Sequence, residues 1–385
     1  MDMRTKMLHV ITRFGRYFTT GWKHRDILAS MAVFFICQLC GCSGSEKDDP
    51  ENYQRQSSPF SEVIHQGVTR YLGAYESVSS EKIEESLSHS FDDDDGPRCM
   101  YGEKYKVTTR DIHSKDLMIF LPGGGACWSE HCSHVGALLP GMPKLDILDM
   151  TLPRNPVKAW NVVVLPYCDG SMFSGDIDLD LDGDGLIDRY HRGLKNLSAG
   201  LDLAIRFFPS PNRILVAGYS AGGFATAYAL PLVRYLYPGT PIYVINDSGV
   251  GILPHGMLKK MMSEWRSELF IPNSCPGCLD ENGHLTNYYA WQLSQDKNFR
   301  LAMMSYTADI VMAEGMDNRY FERQLITEMA ELERLHPQRM RSFIANGQRH
   351  TFLPGLMGVS VGKFSAADWI AAMLENSSSW VSVSE

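Results

Sequence analysis

One stretch constrains the fold more than any other: Arg213-Ile-Leu-Val-Ala-Gly-Tyr-Ser-Ala-Gly-Gly-Phe-Ala-Thr-Ala-Tyr228. Residues 214–217 form an unbroken apolar run, the pattern of a strand buried on both faces. Gly218-Tyr219-Ser220-Ala221-Gly222-Gly223 follows, and residues 224–237 then read as a helix rich in Ala, Leu and Tyr, kinked at Pro231. Strand, G-x-S-x-G and helix in this order make a nucleophile elbow. Small residues two places before and after the serine let the backbone turn sharply and hold the hydroxyl out. The free amides at the helix N-terminus point to where an oxyanion would form. A Gly-rich turn that merely contains serine is the plain alternative, and the flanking pattern speaks against it.

The segments around this unit alternate in type. Residues 105–110 have strand composition, and residues 116–121 form a stronger strand that opens into Pro122-Gly-Gly-Gly125. Residues 160–165 are another buried strand, ending in Pro166-Tyr-Cys-Asp-Gly-Ser171. Residues 193–208 have helical spacing, with Leu194, Leu197, Leu201, Ile205 and Phe208 on the apolar face. Strands follow at 241–245, 299–306 and 341–345, and helices at 62–72, 257–269, 318–335 and 366–374. This order predicts an α/β fold, a mostly parallel sheet with helices on both faces, which the nucleophile elbow makes α/β-hydrolase-like. No internal repeat and no domain break interrupts residues 60–385, which are expected to form a single catalytic domain.

A serine hydroxyl becomes a useful nucleophile only when a base takes its proton, and the base needs an orienting carboxylate. On this fold class the chain order is serine, acid, histidine. The loop after strand 299–306 carries Asp309, and the loop after strand 341–345 carries His350, so both belong at the sheet edge of Ser220. Asp247 also follows a strand and could replace Asp309, although Asn-Asp-Ser-Gly suits a turn beside the site. His255 and His284 could act as base only with unusual topology, and His336 ends a helix. A second loop of free amides is needed for the oxyanion, and Gly123-Gly124-Gly125 is of the type expected. Gly124, Gly125 and Ala221 are the candidate amide donors. A triad of this kind needs no cofactor.

The formal charge of −9 and the lack of a basic stripe in the body of the chain exclude nucleic acid as an expected partner. Basic residues gather instead at the start, from Arg4 to Arg25. An apolar stretch at 27–39 follows, too short to span a bilayer comfortably. It ends Leu39-Cys40-Gly41-Cys42, which resembles a bacterial lipobox. The expectation is a lipoprotein signal peptide at 1–41, a lipid on Cys42, a polar tether at 42–59 and an extracytoplasmic protein anchored to a bacterial outer membrane or cell surface. An uncleaved signal anchor is the competing reading. Of the nine cysteines, Cys37 and Cys40 would leave with the leader. Cys99, Cys127, Cys132, Cys168, Cys275 and Cys278 remain, an even number suited to disulfides in an oxidising compartment. The close pairs Cys127/Cys132 and Cys275/Cys278 suggest themselves, leaving Cys99 with Cys168. A zinc site competes, but Cys275-Pro-Gly-Cys278 has no matching second C-x-x-C.

Taken together, these motifs resemble the pectin acetylesterase and Notum family of serine carboxylesterases. Leu121-Pro-Gly-Gly-Gly-Ala-Cys127 is similar to the family's Leu-Glu-Gly-Gly-Gly-Trp-Cys, and Pro166-Tyr-Cys-Asp-Gly170 to its Pro-Tyr-Cys-Thr-Gly. Tyr190-His-Arg-Gly193 with Asn196 is similar to its His-Arg-Gly-x-x-Asn, and Asp247-Ser-Gly249 to the segment after the next strand. The resemblance covers residues 116–353. It implies an α/β-hydrolase fold, an acyl-enzyme on Ser220 with Asp309 and His350 completing the triad, and an acylated polysaccharide or other ester as substrate. Ala126 stands where the family has Trp, with Trp128 after the cysteine, and Pro122 replaces its Glu. Acyl preference is therefore not carried over. A catalytically silent, surface-anchored glycan-binding protein, or a lipid-ester or aryl-ester hydrolase, are the other expectations for such a chain.

An acidic segment, Asp176-Ile-Asp-Leu-Asp-Leu-Asp-Gly-Asp-Gly-Leu-Ile-Asp188, lies between two of these motifs. With Asp180 first, Asp182, Asp184 and Asp188 fall at positions three, five and nine of a calcium loop, and Gly185 at six. His191 takes the place of the usual twelfth-position Glu. A structural calcium on Asp180, Asp182, Asp184 and Asp188 is one expectation, and a solvated acidic loop the other.

Overall fold

A computed structural model of the chain describes residues 58–133, 141–279 and 284–385. The expected leader, Cys42 and all but the end of the tether lie outside the described residues.

The sheet is built from β1 (Ser79–Ile83), β2 (Ser86–Ser90), β3 (Lys106–Arg110), β4 (Asp116–Leu121), β5 (Asn161–Val164), β6 (Arg213–Tyr219), β7 (Ile242–Asp247), β8 (Phe299–Tyr306), β9 (Met340–Ala345) and β10 (Val383–Ser384). They lie side by side in the order β1-β2-β3-β5-β4-β6-β7-β8-β9-β10. The pairings from β5 through β10 are parallel, whereas β1, β2 and β3 join antiparallel at one edge. Register places Ile214 opposite Ile242 and Leu117, so β6 is enclosed on both sides.

Alternation along each strand divides the core in two. Leu117, Ile119, Ile214, Val216 and Val244 face one layer, packed under α1 (Ser61–His65), α2 (Gly193–Phe207), α3 (Ala221–Leu236), α4 (Met257–Trp265), α5 (Leu285–Gln295) and α6 (Asn318–Leu335). Met118, Phe120, Leu215, Ala217 and Ile245 face the other, under α7 (Ala366–Leu374) and the loops around Trp160 and Phe352. Helices thus cover both faces, but unequally. No helix among the described residues is long and apolar enough to cross a membrane.

Several expected boundaries shift. The helix expected at 62–72 closes at His65, because Gly67 adopts φ 97° and turns the backbone out of the helix. The helix expected at 257–269 stops at Trp265, where Arg266 is left-handed, and a 3₁₀ turn follows at Glu268–Phe270. The β1–β2 hairpin and α5 are elements that sequence periodicity did not mark. Among the described residues three disulfides close: Cys99–Cys168, Cys127–Cys132 and Cys275–Cys278.

Candidate active site

The C-terminal ends of the parallel strands converge on one edge of the sheet, where open α/β folds place their ligands. Ser220 stands between β6 and α3 with φ 54° and ψ −124°, a conformation that costs a non-glycine residue energy and clusters at functional sites. The surroundings hold it there. Its N–H donates to the Asp247 carbonyl at 2.8 Å, and its carbonyl accepts the Phe224 N–H at 3.2 Å. The turn can form because its neighbours lack side chains. A Cβ on Gly222 would sit 1.8 Å from the Leu121 carbonyl oxygen, and one on Gly123 would sit 2.5 Å from the Tyr219 carbonyl oxygen. The Gly123–Gly125 loop therefore packs directly on the elbow.

Asp309 lies in the loop after β8 and is fully buried. Its Oδ1 accepts the amides of Val311 and Met312 at 3.0 and 3.1 Å. His350 Nδ1–H donates to both carboxylate oxygens, at 2.9 and 2.8 Å. That bond fixes the tautomer and leaves Nε2 as the acceptor. Nε2 is buried and has no hydrogen-bond partner among the described residues. The structure thus brings Asp309 and His350 together and sets Ser220 at the same edge, but Ser220 Oγ and His350 Nε2 share no hydrogen bond. Catalytic bonds of this type are commonly loose without substrate and tighten in the complex.

Ser220, Ala221 and Gly125 line a cleft of about 350 Å3. Phe224, Leu253, Met257, Met261 and Met312 make much of its wall apolar. Trp128 and His131 complete one side on a short ribbon closed by Cys127–Cys132, with their rings 4.8 Å apart. Apart from Trp128 and Phe224, which fall in the motifs already noted, these wall residues were not marked by sequence reasoning, because they come from separate segments of the chain. Gly124 lies between the glycine packed on the elbow and the glycine lining the cleft. The alternative histidines play other parts: His284 precedes α5 and His336 closes α6.

Asp247, the alternative acid, does not reach the imidazole. Its Oδ2 accepts the amides of Phe352 and Leu353 at 2.7 and 2.8 Å. Complete burial pushes its carboxyl up to about 7, while those two amides and the nearby His350 pull it down. A raised carboxyl pKa means that the folded state holds its proton more tightly than the unfolded state does. The associated stability is full below the unfolded value near 4 and is lost as pH rises through about 7. Asp247→Asn is expected to flatten the fall in melting temperature between pH 4 and 7. Asp202, pushed up to about 6 by burial, should preserve the remainder of that slope. A variant profile parallel to wild type would contradict this assignment.

The residues of the His-Arg-Gly-x-x-Asn segment act as staples. His191 is buried, with its Nδ1 2.8 Å from the Asp169 carbonyl. Arg192 grips Asp178 through two bonds of 2.8 and 2.6 Å and donates to the Gly96 carbonyl. Asn196 bonds the Arg98 amide and carbonyl. In the acidic loop, Asp180, Asp182 and Asp188 bring one carboxylate oxygen each within 4.8 Å of the others, all exposed. Asp184 is not among them, and its Oδ1 accepts the Leu186 amide at 2.8 Å. Of the four expected aspartates these three lie together, and His191, at the twelfth position, is buried.

The model of the pectinacetylesterase family matches residues 143–264. That segment contains Ser220, Ala221 and Asp247 and ends before Asp309 and His350. Pectin acetylesterase 4 of Arabidopsis thaliana is 27% identical over 148 residues, covering 35% of this chain. The match takes in 36% of the relative, about a third of its length.

Proposed function

We propose that this chain, a member of the pectin acetylesterase and Notum family, is a serine carboxylic ester hydrolase working through an acyl-enzyme. The observation that carries the reading is the strained Ser220 elbow opening on a cleft at the sheet edge that also holds the Asp309–His350 pair. In this mechanism His350 Nε2 takes the Ser220 proton as Oγ attacks the ester carbonyl, and Asp309 stabilises the imidazolium that results. The amides of Gly124, Gly125 and Ala221 receive the oxyanion. The imidazolium then protonates the departing alcohol, and water, activated by the same imidazole, releases the acid. No cofactor enters these steps.

The substrate we favour is a short acyl ester, such as an acetyl group, on an extracytoplasmic polysaccharide. The three disulfides support an oxidising compartment, and the Leu39–Cys42 segment supports a lipid anchor. The apolar cleft wall favours a second reading, larger acyl or aryl esters. A serine-reactive phosphonate should add one adduct to the intact protein, mapped to Ser220. A panel of acetylated polysaccharides, aryl esters and long-chain esters then separates the two substrate classes. Labelling of another residue, or none, would reject the mechanism.

Calcium is proposed as a structural ion on Asp180, Asp182 and Asp188, whose hard oxygen donors suit it. Binding to the folded state alone adds about 2.7 kcal/mol at a hundredfold excess over Kd. A chelator should lower the melting temperature, and calcium should restore it better than magnesium. Asp182→Asn should abolish the response and Asp184→Asn should keep it. Melting unaffected by chelator would remove calcium from the account.

A further inference from the structure

The loop that carries His350 runs from Ala345, the end of β9, to Ala366, the start of α7. Its backbone around the imidazole lies in no ladder or helix, so its placement depends on individual bonds. Upstream of His350, the loop of Asp309 supplies them: the Ala308 amide donates to the Gly347 carbonyl at 2.9 Å, and the Ile310 amide to the Gln348 carbonyl at 3.2 Å. Downstream, three consecutive amides go to one place. Thr351 N–H donates to Ser248 Oγ at 3.1 Å, and Phe352 and Leu353 donate to Asp247 Oδ2. Thr351 and Ser248 both have left-handed backbones, at φ 67° and 54°, which these bonds help to hold.

Asp247 also reaches the nucleophile. Its carbonyl accepts the Ser220 N–H at 2.8 Å, while its carboxylate grips the segment just after the base. One fully buried residue at the end of β7 is therefore bonded to both halves of the site, and neither bond involves a reacting atom. We propose that Asp247, assisted by Ser248, is a positioning residue that sets the separation of Ser220 from His350 by clamping the downstream half of the histidine loop to the elbow. The proposal rests on the triad reading above.

The clamp needs an acceptor oxygen, not a charge. A single oxygen, Oδ2, accepts both the Phe352 and Leu353 amides, a role that a neutral amide carbonyl can also fill. An amide oxygen should therefore replace it, which separates Asp247 from Asp309, where the charge itself matters.

The test uses the full chain with Asp247→Asn, Asp247→Ala, Ser248→Ala, Asp309→Asn and Ser220→Ala, assayed on 4-nitrophenyl acetate. Asp247→Asn should keep kcat within a few-fold of wild type. Asp247→Ala should lower kcat about a hundredfold at unchanged KM, the cost of a misplacement of roughly 1 Å. Ser248→Ala, which removes one acceptor and spares the fold, should lower kcat less, again at unchanged KM. The low-field proton of His350 Nδ1–H, identified by its loss in His350→Ala, should persist in Asp247→Asn and shift in Ser248→Ala. An Asp247→Asn loss as deep as that of Asp309→Asn overturns the proposal. Wild-type kcat in Ser248→Ala, or in a folded Asp247→Ala, overturns it too. Full turnover in Ser220→Ala would instead reject the triad reading. The low-field proton then decides the clamp alone, and an unshifted signal in Ser248→Ala overturns it.

Discussion

Ser220→Ala is expected to lower kcat by about six orders of magnitude, the scale found when a triad serine is removed. The hydroxyl is the atom that would form the new bond, and the cleft wall beside it is largely methionine and other apolar carbon. KM should change little, since the apolar wall is untouched. The folded state should also survive, because Ser220 is only half-buried and alanine keeps its Cβ. Steady-state turnover of 4-nitrophenyl acetate, corrected for spontaneous hydrolysis, is the measurement. Turnover equal to wild type would remove Ser220 from the mechanism.

Asp309→Asn should lower kcat by about four orders of magnitude, as expected when a neutral amide selects the wrong imidazole tautomer. The geometry explains why the fold should tolerate it. Oδ1 already accepts the Val311 and Met312 amides, so the asparagine oxygen should stay on those donors. Its amide nitrogen then faces His350 Nδ1 and drives the proton to Nε2, where it blocks acceptance from serine. Circular dichroism should be unchanged while kcat collapses. If Asp247→Asn fell further than Asp309→Asn, the acid would have to be moved to Asp247.

The centre of this fold was legible because its signals are local. The apolar run at 214–217 and the glycines around Ser220 specify a buried strand and a sharp turn without reference to the rest of the chain. The loops bearing Asp309 and His350 could be placed by counting strands. The β1–β2 hairpin escaped because Ser79–Ile83 and Ser86–Ser90 form an antiparallel edge rich in serine and charge, without apolar alternation. Helix α5 escaped for the opposite reason: Leu285, Tyr288, Tyr289, Trp291 and Leu293 are all buried, leaving no clean polar face. The grip of Asp247 on Phe352 spans 105 residues of sequence, and no pattern near either residue announces it. Spacing records which carboxylates of the acidic loop could converge, and only Asp180, Asp182 and Asp188 of the four lie together here.

The strand order also fixes when the site can exist. Beyond β6, the sheet extends outward in chain order through β7, β8, β9 and β10. A chain made from its N-terminus can enclose β6 between β4 and β7 as soon as residue 247 is available. At that point every residue of the elbow has been made, while the strands bearing the acid and base loops have not. Asp309 arrives with β8, and His350 only after β9 has docked. The nucleophile is thus synthesised well before the acid and the base, and the site can be complete only once the last major strand of the sheet has been made.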